Sequence, residues 1–135
     1  MARSFCQIPD LSAAEIREVF ELCRKMKRKE IAPKPLAGKS VACIFTKASL
    51  RTRISFEVGI NELGGNALYV TDNEIKLGER ESIEDAARVL SRYVGMIMIR
   101  TYKQSDVDGL AKYATVPIVN GLTDLVHPCQ IMGDY

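Results

Sequence analysis

The segment Ser49-Leu50-Arg51-Thr52-Arg53 gathers two hydroxyls and two guanidinium groups into one short stretch. If it opens a helix, its first backbone N–H groups lack partners and the helix dipole adds partial positive charge, so an anion is the matching ligand. Ser49 and Thr52 supply hydroxyl donors, and the Arg51 fork suits two phosphate oxygens at once. Arg100 follows the apolar run Met96–Ile99, so its head should emerge beside the same anion. His127, the single histidine, and Gln130 could together grip an amide-like group, imidazole on its oxygen and glutamine on its NH2. Neither G-x-x-x-x-G-K-[ST] nor G-x-G-x-x-G occurs, so a small phosphorylated metabolite fits better than a nucleotide. Some of these residues also have plainer roles: Arg53 can pair with Glu57 at i+4, His127 can bond local backbone at a helix entry, and Cys129 reads as packing. No Ser-His-Asp or Cys-His arrangement supports covalent catalysis. A lone histidine with dispersed carboxylates predicts no metal site.

Those residues need a scaffold that delivers them to one edge. Ser12 followed by Glu15 forms a capping box for a helix through the AAEIREVFELCRKMKRKE stretch, which Pro33 and Pro35 should end. Ser40–Phe45 is a near-continuous apolar run, the signature of a parallel strand covered on both faces. A helix from Thr52 to Leu63 should stop at Gly64-Gly65. Strands are predicted at Asn66–Val70, Met96–Thr101 and Val116–Asn120. Helices are predicted at Ser82–Tyr93 (capped by Ser82), at Ser105–Ala114, and from Pro128 onward. This alternation predicts an α/β fold, an open parallel sheet of about four strands flanked by helices in a three-layer sandwich. Ligands of such sheets bind outside the carboxyl ends of the strands. Thr46 to Arg53, Arg100-Thr101, Asn120 to Asp124 and His127 to Gln130 all fall there.

The chain has 135 residues, with 19 Lys+Arg against 17 Asp+Glu and a formal net charge of +2, too small an excess to argue for a nucleic-acid surface. The basic run at Arg24–Lys29 complements a helix C-terminus. No apolar run approaches the roughly 20 residues of a membrane span, and the first ten residues lack the apolar centre of a secretory signal. Four scattered cysteines without a C-x-x-C pair point to reduced thiols and a cytoplasmic setting.

S-x-R-T-R at 49–53 followed by I-S-F-E, R-T-Y at 100–102 and H-P-C-Q at 127–130 together resemble the aspartate/ornithine carbamoyltransferase family. LGERESIEDAARVLSRYVGMIMIRTY and VPIVNGLTDLVHPCQIMGDY are more similar to its ornithine-accepting branch than to its aspartate-accepting branch. The resemblance implies transfer of a carbamoyl group from carbamoyl phosphate to the δ-amine of ornithine, giving citrulline and phosphate, with no cofactor. It implies Arg51, Arg100 and His127 as catalytic residues. Carbamoyl phosphate would be bound by Ser49, Leu50, Arg51, Thr52, Arg100, His127 and Gln130. Lys76 stands where ornithine enzymes commonly carry a glutamine that reaches into the neighbouring subunit's site, and Leu50 where a threonine is common. It further implies a homotrimer, and that residues 1–135 are the carbamoyl-phosphate lobe alone, inactive without the ornithine-binding lobe. A stand-alone phosphate-binding module and a lobe of an aspartate-accepting enzyme are the alternatives.

Overall fold

The structure, a computed structural model, describes residues 3–46, 49–71, 82–123 and 127–134. Its sheet has four parallel strands, β1 (Ser40–Phe45), β2 (Asn66–Thr71), β3 (Met96–Arg100) and β4 (Ile118–Leu122), in the order β2-β1-β3-β4. The helices are α1 (Ala13–Lys27), α2 (Leu50–Glu62), α3 (Ile83–Tyr93), α4 (Gln104–Tyr113) and α5 (Pro128–Asp134). The α/β sandwich expected from the strand–helix alternation is what the chain forms.

Strand pleat divides the core in two. Ala42, Ile44, Ile97, Ile99 and Ile118 face one way and pack with Ala86 and Ala87 of α3 and Val107 and Leu110 of α4. Val41, Cys43, Phe45 and Met98 face the other way and meet Ile60 of α2, with Phe56 and Leu36 alongside. The two sides follow from handedness. The step from β1 to β2 runs in one direction along the sheet; the steps from β2 to β3 and from β3 to β4 run in the other. Crossovers of one hand then put α2 on one face and α3 and α4 on the opposite face.

Local signals set several boundaries. Gly64 adopts φ +91°, donates to Asn61 O, and is followed by Gly65 donating to Ile60 O at 2.9 Å, a Schellman stop for α2. A Cβ on Gly65 would stand 2.9 Å from the Leu36 Cβ, so this close approach also requires glycine. Two expectations need correction. The first helix ends at Lys27, well before Pro33, because Lys29 takes a left-handed conformation (φ +59°) and its N–H closes onto Met26 O. The fourth strand starts at Ile118 rather than Val116, so Pro117, which has no N–H to give the ladder, stays outside it. One pairing has no counterpart in the sequence pattern: Phe5 bridges Val119 in parallel, and its N–H and C=O bond Ile118 O and Asn120 N–H, covering that edge of β4.

α1 carries its apolar stripe without burying any residue. Its start is well anchored, with Glu15 N–H donating to Ser12 Oγ and Ser12 N–H to Glu15 Oε1. Arg3 pairs with the same carboxylate. The Arg3 hydrogen bond, helped by Ser12, lowers the Glu15 pKa to about 2. A depressed carboxylate stabilises the fold above its ordinary pKa, and that contribution fades as pH falls towards 2. An NMR titration of the Glu15 carboxyl carbon is expected to give a midpoint near 2. Arg3→Ala should move that midpoint upward; an unchanged midpoint would show that the pair is not formed in solution.

Candidate functional site

The strand order reverses at one place. β1 leads outward to β2, β3 leads the opposite way to β4, and β1 and β3 lie side by side with Phe45 opposite Arg100. The helices that follow them, α2 and α4, pack on opposite faces of the sheet, the arrangement at which parallel sheets hold ligands in a crevice. Ser49 to Thr52 enter it from β1, and Arg100 enters from β3.

Arg100 is half-buried and reaches across this crevice. Its Nη1 donates to Thr52 Oγ1 at 2.7 Å, while its Nε is buried without a hydrogen-bond acceptor. Among the described residues no carboxylate pairs with it. Partial burial lowers its pKa from the ordinary value, yet a guanidinium stays protonated at any physiological pH. The result is a desolvated cation with spare donors, aimed at the start of α2. A bulge sits beside it: Ile99 pairs with Asn120 but Arg100 pairs with Leu122, leaving Gly121 as the extra residue of β4. A Cβ on Gly121 would lie 3.1 Å from Ile99 O and 2.8 Å from Met98 Sδ, so a side chain in the bulge would crowd both.

α2 begins at Leu50, with Ser49 as its N-cap in extended conformation (φ −162°) and Thr52 N–H donating to Ser49 Oγ at 3.2 Å. Helix geometry leaves the N–H groups of Leu50 and Arg51 without intrahelical acceptors. The Leu50 side chain is 71% exposed, so this position offers the site its backbone N–H alone. The Arg51 side chain is exposed, and no carboxylate among the described residues pairs with it. Arg53 takes its structural role instead, bonding Glu57 at 3.0 Å and lying 4.3 Å over the Tyr69 ring.

The third arm comes from β4. His127 is half-buried just before α5, Pro128 is fully buried, and Gln130 is exposed. The described contacts bring Ser49, Thr52 and Arg100 together. His127 and Gln130 stand on the carboxyl side of the next strand, at the start of α5. Cys129 donates its thiol to Asn120 O at 3.4 Å, and burial pushes its pKa up to about 11, which makes it a packing thiol rather than a nucleophile. Lys76 lies outside the described residues. Among the described residues no group of three His, Cys, Asp or Glu could hold a metal ion, and no helix is long and apolar enough to cross a membrane. A groove along α1 is lined by Val19, Phe20, Cys23, Cys129 and Met132 with Arg24 and Lys27 beside them, and it lies apart from Arg100 and the start of α2.

Two polar residues gain roles that their types and spacing did not announce. Thr46 Oγ1 donates to Thr101 Oγ1 at 2.8 Å, tying β1 to β3, and Gln104 ties α4 to β4. The signal that could have pointed to them is position: a hydroxyl just past β1, and an amide at the first turn of the helix that follows β3.

A parallel α/β domain with a half-buried arginine and a helix start meeting at its switch point is the class that this fold and site define. Residues 3–135 match the family described as aspartate/ornithine carbamoyltransferase, carbamoyl-P binding domain, and the chain belongs to that family. The ornithine carbamoyltransferase of Carboxydothermus hydrogenoformans is 52% identical over 135 residues, covering 98% of this chain and 43% of that protein. The solved structure of ornithine carbamoyltransferase from Pyrococcus furiosus superposes with a TM-score of 0.91 at 46% identity, over 99% of this chain and 44% of that one. An N-acetyl-L-ornithine transcarbamylase mutant, solved with carbamyl phosphate and N-succinyl-L-norvaline, matches at TM-score 0.84 and 32% identity, over 97% of this chain and 46% of that one. The chain thus spans a little under half the length of these relatives.

Proposed function

We propose that the crevice between β1 and β3 binds carbamoyl phosphate and serves carbamoyl transfer to ornithine. The observation that carries this reading is Arg100: a half-buried guanidinium with no carboxylate among the described residues, bonded to Thr52 at the mouth of α2. Removing a cation from water without a counter-ion is costly unless a ligand supplies the charge. The transcarbamylase solved with carbamyl phosphate supports the choice of ligand.

In this reading Ser49, the N–H groups of Leu50 and Arg51, and the Arg51 and Arg100 side chains hold the phosphate. Arg100, Thr52 and His127 face the carbonyl oxygen, and Gln130 faces the carbamoyl NH2. The δ-amine of ornithine attacks the carbonyl carbon and forms the C–N bond, and the oxygen gains negative charge that fixed donors stabilise. The C–O bond to phosphate then breaks, its electron pair leaving with phosphate, and the amine gives up a proton. Cations already in place stabilise the leaving group without reorganising. The same reading makes the protein cytoplasmic, places it in arginine biosynthesis, and builds a homotrimer through this domain. An exposed row on α2, Leu50, Ile54 and Val58, supports such an assembly.

Calorimetry on this chain is expected to show one carbamoyl phosphate bound, with inorganic phosphate competing. Joined to the remainder of the Carboxydothermus relative, the chain should form citrulline with ornithine and no product with aspartate. Binding with no turnover in that chimera would favour a stand-alone phosphate-binding module; no binding at all would defeat the proposal.

A further inference from the structure

The buried polar side chains among the described residues sit together. Thr101, Asn120 and Thr123 are each at most 3% exposed; Thr101 and Thr123 directly follow β3 and β4, and Asn120 lies within β4. Their hydrogen bonds converge on the first turn of α4. Thr123 Oγ1 donates to Gln104 Oε1 at 2.6 Å, and Asn120 Nδ2 reaches the same oxygen at 3.4 Å. The Gln104 amide nitrogen donates to Asp108 at 3.2 Å, which turns the amide oxygen towards β4. Thr101 Oγ1 in turn donates to Asp106 Oδ2 at 3.3 Å. Buried hydroxyls and amides are costly to leave unpaired, so these contacts hold the strand ends in register with α4.

We propose that Gln104 is a positioning residue for the carbamoyl end of the ligand, an inference that rests on the carbamoyl-phosphate reading above. Gln104 lies on the connection that carries Arg100, and its amide oxygen grips two residues of the arm that carries His127. Asn120 also accepts the Cys129 thiol through its carbonyl, so the grip extends into α5. The phosphate end depends on other elements, the start of α2 with Arg51 and Arg100, none of which touches the Gln104 amide. Losing that amide should therefore separate the two ends of the ligand.

The test is calorimetry of this chain with carbamoyl phosphate and, separately, inorganic phosphate. Gln104→Met is expected to weaken carbamoyl phosphate about tenfold, one hydrogen bond's worth, while phosphate binding stays within about twofold. His127 is the single histidine, so its imidazole NMR signal reports the arm directly and should shift in the variant. Thr123→Val, which removes the 2.6 Å donor, should reproduce both effects even if Gln104→Met fails to fold. Thr123→Ser, which keeps the hydroxyl, should restore both. Equal weakening of the two ligands, no weakening, or an unmoved His127 signal would overturn the proposal. A wild-type chain that binds neither ligand would instead defeat the carbamoyl-phosphate reading on which it rests.

Discussion

Arg100→Met is expected to lower carbamoyl phosphate affinity about a hundredfold without lowering the stability of the chain. The affinity loss combines two or more charge-assisted hydrogen bonds at roughly 1.5–3 kcal/mol each, against about 1.4 kcal/mol per tenfold change. The stability expectation comes from the same geometry. Arg100 is half-buried, its Nε has no acceptor, and its described bond is to the Thr52 hydroxyl. A cation held out of water with little compensation contributes little to folding, and an apolar side chain of similar length can replace it at no cost. Calorimetric titration and thermal melting of this one variant thus tell the two roles apart. Lost affinity with an unchanged or higher melting temperature supports a ligand cation; a destabilised protein with intact affinity would make Arg100 structural. Arg51→Ala should also weaken binding, but by less, because an exposed guanidinium acts through more water.

Ile97→Ala should cost roughly 2–5 kcal/mol of stability. Ile97 lies on β3 between β1 and β4, opposite Ala42 and Ile118, and no part of it is exposed. It belongs to the cluster that joins the sheet to α3 and α4, so truncation leaves a cavity walled by strands and helices that cannot close in on it. The urea midpoint should fall by an amount on the order of 1–2 M. Val89→Ala on the exposed face of α3 is the matched control and should stay within about 0.5 kcal/mol. If both variants melt alike, the sheet is not the core of this fold.

The amino-acid sequence by itself determined the class of fold, because each strand and helix is written in local terms. Ser40–Phe45 is apolar throughout because a central parallel strand is covered on both faces, and it forms β1 with those same ends. Ser12 and Ser82 cap helices as expected, since a cap depends only on residues within one turn. The helix start at Ser49 to Thr52 was legible for the same reason, as was the Arg53–Glu57 pair. The boundary of β4 drifted, since it starts two residues late because Pro117 has no N–H to give the ladder, and the Phe5 pairing along its edge had no local signal at all.

Only the tertiary structure decided which strand ends are neighbours, and with that, which side chains meet. That β1 lies against β3 is a matter of strand order, and it brings Arg100 within 2.7 Å of Thr52, 48 positions away in the chain. The amide of Gln104 and the hydroxyls of Thr46, Thr101 and Thr123 acquire meaning in the same way, since each finds its partner on another element. The physical reason is that helix and strand propensities act over a few residues, whereas a site at a switch point is made by burial and hydrogen bonding between segments that the chain holds far apart.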